Sequence, residues 1–420
     1  MHWFCKTGDF SLLRLKRYKH TSFWMWGGVL VAQLATAEPN VTAWGNHQIF
    51  VPANASNVVA ITAGGFHNIA LRGDGSVVSW KDIGGPVAGA VEELQHAVAV
   101  AAGYAHSLAV RADGSVAAWG NNVNVEQEWT GQAVVPEGLC GVVAVAGGSA
   151  HSLALREDGR VVAWGENKFS QALVPPGLSN VVALAAGWRH SLALRADGSV
   201  VAWGCNLEGQ AAVPAAASNV VALAGGLFHT LALRADGSVL AWGGNLEGCD
   251  QRWVGQSTVP SGLSNVVAVT AGHYFSVALR ADGSIMAWGD DAYEQAHVPD
   301  NLHHVVAVSS SSSHTLALQG EGKPVLSPHV KRLTLPQGSP FFLRAQATGA
   351  PPLAYRWQKD GAPLAGATNA LLHWRATQAR EAGAYRCIVT NAQGVTTGAV
   401  LNVAVEMSRS VTHAPAAARP

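Results

Sequence analysis

One motif recurs along residues 41–318, and a repeat this short leaves few folds open. A single unit reads NVVALAAGWRHSLALRADGSVVAWGCNLEGQAAVP, from Asn180 to Pro214. Its tryptophan recurs at Trp44, Trp80, Trp119, Trp164, Trp203, Trp242 and Trp288. Its histidine recurs at His67, His106, His151, His190, His229 and His314, with Phe275 in the remaining slot. The basic step is 39 residues, lengthened to 45 or 46 by insertions after Trp119 and Trp242.

Each unit parses into strands. Val-Val-Ala-Leu-Ala is short, branched and small. His-Ser-Leu-Ala-Leu alternates as a half-buried strand does. Arg-Ala-Asp-Gly-Ser is a hairpin turn, because Asp-Gly tolerates the positive φ that tight hairpins need. Ser-Val-Val-Ala-Trp-Gly is a third strand, and a stretch ending in Val-Pro predicts a weak fourth at the edge. Four antiparallel strands per unit describe a propeller blade. The chain enters the array at Val41-Thr-Ala-Trp-Gly, a third strand lacking its first two. It leaves at Val305-Val-Ala-Val and His314-Thr-Leu-Ala-Leu, two strands lacking a third. Pairing the two ends completes one blade and removes exposed sheet edges. The expected fold is therefore all-β, a seven-bladed propeller over 38–320 closed by its N- and C-terminal strands.

The HSLAL-RADGSVVAWG-N-GQ-VP pattern resembles the regulator of chromosome condensation (RCC1) repeat. The 39-residue form looks most like the bacterial version, which includes a secreted β-lactamase inhibitor. The resemblance recurs in all seven units and implies a seven-bladed propeller. It leaves function open, because one fold hosts many functions.

After a linker at 321–328, residues 329–405 read as an immunoglobulin-like sandwich. Tyr355-Arg-Trp357 resembles the C strand with its core Trp. Glu381-Ala-Gly-Ala-Tyr385-Arg-Cys387 resembles the family's tyrosine-corner element. Ala345 stands where the first cysteine of that family belongs, so Cys387 is expected as a buried thiol. The tail, 406–420, is expected to be disordered.

Residues 1–37 read as a signal peptide. Lys6, Arg14, Lys16, Arg17 and Lys19 form a basic region, Phe23 to Leu34 is mostly apolar, and Ala35-Thr36-Ala37 fits a cleavage site. An uncleaved anchor is the alternative. No second apolar stretch has membrane length, so no span is expected in the mature chain. Cys140, Cys205, Cys249 and Cys387 lack CxxC spacing, which argues against zinc. Cys205 and Cys249 fall in equivalent loops and could either pair or stay reduced. With 27 basic and 27 acidic residues, the formal charge is zero, which offers no footprint for nucleic acid.

The strand directions place the Gly-x-x-His loops and the post-Trp loops on one face and the Asp-Gly turns on the other. The two residues before the His slot vary, and five of the seven pairs contain a Phe, Tyr or Trp. Both insertions also fall on this face, and each carries a Trp. Candidate ligand-binding residues are Phe66, Tyr104, Trp129, Trp188, Arg189, Phe228, Trp253, His273 and Tyr274. They form either an interface rich in aromatic residues and arginine or a cover over the blade ends. The repeated His and Trp fit structural roles. A single Asp per turn is too few ligands for calcium. Arg72-Gly73-Asp74 spells an integrin-type tripeptide, but it is also the Arg-Ala-Asp-Gly turn with one Ala changed. GxSxG, HExxH and Walker patterns are absent, and neither catalytic residues, metal nor cofactor is expected. The expected protein is an exported, monomeric, non-enzymatic binding module for a protein or glycan. The alternatives are a secreted inhibitor of an enzyme such as a β-lactamase and, on the eukaryotic RCC1 name, a guanine-nucleotide exchange factor.

Overall fold

The structure is a computed structural model. It describes residues 40–45, 49–81, 94–247, 252–320, 322–326, 332–338, 341–345, 347–350, 353–374 and 377–406. The leader at 1–37, Cys249 and the tail beyond 406 lie outside the described residues.

The repeats fold into seven three-stranded antiparallel sheets. In the fourth, Val181–Ala186, His190–Arg195 and Val200–Gly204 pair in order. The seventh takes Val305–Ser311 and His314–Gln319 from the end of the array and Val41–Gly45 from its start. Trp44 stands opposite Thr315 there, as the Trp of each other blade stands opposite a Ser or Thr, or opposite Asn68 in the case of Trp80. The first strands touch in cyclic order, including Val305–Ser311 against Val58–Ala63. Asn57, Asn180, Asn219 and Asn265 open their blades at positive φ, a conformation Asn tolerates. A bulge then follows, between Val181 and Ala183 in the fourth blade.

Two expectations change. The middle strands are not half-buried: His190 to Leu194 are all buried, as are their counterparts in every blade. Neighbouring sheets cover both faces, and the small Ser and Ala side makes room for them. Among the described residues the weak fourth strand is also absent from the blade sheets, and the post-Trp segment runs as a loop or, in the fifth blade, a small hairpin. Its backbone is held by side chains instead. The Gln171 carbonyl accepts from Trp203 Nε1 at 2.9 Å and from Ser191 Oγ at 2.8 Å, both in the next blade. Gln132, Gln210 and Gln256 repeat this double contact. The Gln295 carbonyl accepts from Trp44.

The histidines complete the link. His151 Nε2 lies 3.0 Å from Ser191 Oγ, whose proton goes to Gln171. The imidazole therefore donates from Nε2, which fixes its tautomer. Equivalent contacts join His67 to Ser107, His106 to Ser152, His190 to Thr230, His229 to Ser276 and His314 to Asn68. The rings of His67, His106, His151, His190 and His229 each pack on a glycine. At Gly187, a Cβ would come within 2.1 Å of His190 Cε1.

The segment read as a linker contributes a strand. Val325–Leu326 pairs with Ala347–Thr348, so the second unit begins earlier than expected. Its larger sheet runs in the order 332–336, 401–406, 383–391, 354–359, 362–363. Ala345, Trp357, Tyr385 and Cys387 share its core. Tyr385 donates to the Glu381 carbonyl at 2.7 Å, the expected corner. Cys387 is a buried free thiol, pushed up to about 11 by burial. Val325 also packs against the propeller at Gly73, where a Cβ would come within 2.9 Å of Val325 Cγ1. The Arg-Gly-Asp spelling thus has a packing cause: alanine, usual in this turn, would crowd the incoming strand.

Burial draws His67 and His190 down to about 4, and His106, His151, His229 and His314 to about 3. In the unfolded chain these groups protonate near pH 6.5. Unfolding therefore takes up protons below 6.5, and stability falls as pH drops from there toward 4. Each histidine adds a slope of about 1.4 kcal/mol per pH unit in that window. We expect the thermal midpoint to fall steeply between pH 6.5 and pH 4. Replacing His190 with Gln should lower the midpoint at neutral pH but flatten its acid slope. A slope unaffected by that change would show that other groups govern acid stability.

Candidate functional site

The ends of the first strands surround an axial cavity of about 290 Å³. Its wall is small: Ala, Gly, Ser and Thr from all seven blades, for instance Thr62, Ala101, Ala146 and Ser309. Val145, Leu223, Val269 and Val308 also contribute to it, and the aromatic side chains stand at the end carrying the Gly-x-x-His loops, here termed the upper face. Tyr104, Trp188 and His273 come from the second, fourth and sixth blades and meet one another over the cavity. Tyr104 and Trp188 rings lie 4.5 Å apart, Trp188 and His273 4.8 Å, Tyr104 and His273 5.9 Å. Burial in this cluster draws His273 down to about 4 and pushes the Tyr104 phenol up.

Phe66 extends the cluster outward from Tyr104 at 4.8 Å, and Tyr274 and Phe228 extend it on the other side. Six of the nine candidates therefore form one aromatic patch. Within it Tyr104, Trp188, Phe228, His273 and Tyr274 are half-buried, and Phe66 stands out, 59% exposed. The position two residues before each histidine points toward the axis, so large residues there pack together.

Arg189 has a different role. Its guanidinium stacks on Phe169 at 4.9 Å, pairs with Glu126 at 2.7 Å and lies 3.8 Å from Glu166. It is committed to the protein's own loops. Trp129 and Trp253 lie on the two inserted hairpins, 72% and 64% exposed. Trp129 bridges to Val123, and Trp253 pairs with Leu246.

The two hairpins are built alike. Asn122 Oδ1 accepts from Ala133 N at 2.8 Å, and Asn245 Oδ1 accepts from Ser257 N at 2.7 Å. Each hairpin leans on a buried acid of the following blade. Asn124 Nδ2 donates to Glu166 at 3.1 Å, and Arg252 donates to Asp290. The same acids accept from Gln171 and Gln295 of their own loops. Sequence reasoning did not single out Glu166 and Asp290, although a mark was present. Both repeats that come after an insertion carry an acid after Trp-Gly; elsewhere the position is Asn46, Asn121, Cys205 or Gly244, and Asp82 in the one repeat that reads Trp-Lys instead.

With Cys205 a buried free thiol, this half of the suspected pair is reduced. Among the described residues no group of three or more His, Cys, Asp or Glu could hold a metal ion. No described helix is long and apolar enough to cross a membrane.

The profile of the regulator of chromosome condensation (RCC1) repeat matches 97–124, 142–171, 181–210, 220–249 and 266–295. That of the immunoglobulin domain matches 323–405. The chain carries RCC1 repeats followed by an immunoglobulin domain. Both are binding-type families rather than enzyme families. A search of curated protein sequences gives no match. Among solved structures, the ectodomain of the receptor kinase CR4 from Physcomitrella patens is 24% identical, with a TM-score of 0.44, covering 56% of this chain and 61% of its own. Immunoglobulin domains 1–5 of Sidekick-1 are 22% identical, with a TM-score of 0.20, covering 21% of this chain and 19% of theirs. Titin M4 is 18% identical, with a TM-score of 0.19, covering 20% of this chain and 98% of its own. This chain spans less than two thirds of the first two.

Each matched RCC1 segment begins at a first strand and ends in the post-Trp loop, and three of them end on the Gln that staples the next blade. Glu166 departs from the repeat to anchor an insertion. Its side chain is 1% exposed and serves Asn124, Gln171 and Arg189. Glu166→Ala should cost about 3 kcal/mol, because it leaves those donors without their buried acceptor. Amide exchange at 122–131 should accelerate with it. Glu208→Ala, in the equivalent exposed loop of the next blade, should do neither. Unchanged exchange at 122–131 would show that the hairpin stands without Glu166.

Proposed function

We propose that this chain is an exported, non-enzymatic binding protein whose upper propeller face engages a protein or glycan, with the immunoglobulin domain as a spacer or second adhesive module. The observation that carries this reading is where the apolar surface lies. Phe66, Val125, Trp129, Leu207, Trp253 and Tyr293 are large, exposed and on the upper face, whereas toward the opposite face lie the smaller Val221 and Val267, 36% and 43% exposed. The opposite face repeats the same Asp-Gly turn, with Asp74, Asp113, Asp197, Asp236 and Asp282 each bonded to its own Ser. Exposed aromatic side chains concentrated on one face mark an interaction surface. The half-buried aromatic patch beneath them supplies a stiff base, which lowers the ordering cost of binding. Export rests on the leader, and a monomer is the simplest state consistent with sheet edges paired at both ends of the array.

A second reading, the secreted inhibitor, draws on the hairpins, since a protruding Trp suits an enzyme cleft. Immobilised full-length protein, presented with a surface-protein fraction, a glycan array and a panel of secreted hydrolases including β-lactamases, tests both. Phe66→Ala with Leu207→Ala should abolish capture with little change in thermal midpoint. Val221→Ser with Val267→Ser, on the opposite face, should leave capture intact. Capture lost only in the second pair would place the site on the wrong face. Micromolar inhibition of one hydrolase would favour the inhibitor.

A further inference from the structure

The two Trp hairpins do not follow from the repeat, and they did not come for free. Each required an insertion, and each required an acid to replace the ordinary residue after Trp-Gly in the next blade. The solution is the same both times: an Asn that folds the hairpin, an outward Trp, and a buried carboxylate at the base. Each Trp also stands over a glycine, Gly131 or Gly255, which leaves its outer face open. The hairpins leave the second and fifth blades, on far sides of the ring, with the aromatic patch between them. A ligand that touches both must lie across the mouth of the cavity.

The charges around them are one-sided. Glu126 and Glu128 flank Trp129, and Asp291 and Glu294 lie exposed in the loop against which the second hairpin leans. The bases beside the hairpins are already paired: Lys168 with Glu128 and Glu126, Arg189 with Glu126, Arg252 with Asp290. Around the first hairpin the carboxylates of Glu126, Glu128 and Glu166 outnumber the bases Lys168 and Arg189 by one, and beside the second Asp291 and Glu294 have no base among the described residues, so a ligand meets an acidic excess beside exposed indole. Indole faces attract Arg and Lys, and carboxylates reinforce them.

We propose that Trp129 and Trp253 form a two-point clamp for an extended, basic and apolar segment of a protein partner lying across the upper face. This rests on the reading of that face as a binding surface, and it names the ligand class. Each hairpin holds one cationic or apolar side chain, and the patch from Phe66 to Tyr274 bears on the segment between them. Because the two contacts sit on one rigid ring, the second forms at high effective concentration once the first is made.

Fluorescence anisotropy with the full-length protein tests the clamp, using a labelled Arg–Leu peptide, a Glu–Leu peptide of equal length and a labelled β-linked glucan. The Arg–Leu peptide should bind and weaken as salt rises, and the Glu–Leu peptide should not. Trp129→Ala and Trp253→Ala should each weaken binding by about tenfold, and the double variant should abolish it. Both variants should melt like the parent, since these rings are exposed. Equal binding of the two peptides, or binding retained in the double variant, overturns the proposal. Glucan bound in preference to peptide, and lost in the double variant, would assign the clamp to glycans and overturn the protein-segment assignment. Capture by the upper face that needs Phe66 and Leu207 but survives loss of both tryptophans would overturn the clamp and leave the binding face standing.

Discussion

The interaction on which the rest of this molecule depends is a relay through four groups in two blades. A buried imidazole donates to a hydroxyl of the next blade, the hydroxyl donates to a Gln carbonyl, and an indole of that next blade donates to the same carbonyl. Sheets packed face to face through Leu and Ala have no intrinsic register, because apolar contact is non-directional. The relay supplies direction. It also explains why the blades need no fourth strand: the post-Trp segment, held at its Gln, already crosses to the neighbour. A buried polar group of this kind is costly unless paired, so each residue of the relay is tied to the others, and the repeat keeps His, Ser, Gln and Trp together.

That economy divides the molecule into a constrained part and a free part. Residues inside the relay and the Leu-Ala-Leu strands vary little between blades. Residues just above it, before the histidine and after Trp-Gly, have no partner that repeats, so they can differ. Nearly all individual character collects there: the aromatic cluster over the cavity, Arg189 with its carboxylates, and the two hairpins. The opposite face departs at Gly73, which serves the neighbouring domain rather than solvent, and in the third blade at Glu157 and Arg160, where Arg160 takes the place of the usual Ser beside Asp158.

Much of this was legible in the sequence because it depends on periodicity. The seven sheets, the joined ends and the tyrosine corner all follow from residues that recur at fixed spacing or in a known order. The candidate site was legible in part. Its residues stood out as departures from the repeat, but a departure does not say where a side chain goes. Tyr104, Trp188 and His273 lie far apart in sequence and converge only because alternate blades point them at one axis. Arg189 looked like a hot-spot residue, and its partners at 126 and 166 could be seen only once the loops were placed. The absent fourth strand had a similar cause: Val-Pro suits an edge strand and a loop equally, and the Gln carbonyl that decides between them is a tertiary contact.

The relay has one missing rung, and the way it is bridged shows how strongly the junctions between blades constrain the sequence. Phe275 cannot donate to Thr315, so the sixth and seventh blades lose the link the other junctions have, and Thr315 turns to Ser310 instead. This junction abuts the blade assembled from both ends of the array, where a loose contact would free the chain ends. A hydroxyl appears on the first strand in the same region. At the fifth position of that strand, four successive blades carry Ala101, Ala146, Ala185 and Ala224. The other three carry Thr270, Ser309 and Thr62, and all three bond across a junction. Thr270 accepts from Ser310 N at 2.8 Å, Ser309 from Ala63 N at 3.0 Å, and Thr62 from Ala102 N at 3.1 Å. The inner wall thus links the blades where the outer relay falters and on to either side of the shared blade. A substitution that looks random in the repeat, Ala to Thr or Ser near the axis, has the same logic as the histidine it accompanies. Each junction needs at least one directional bond, and the chain places it wherever a side chain can reach.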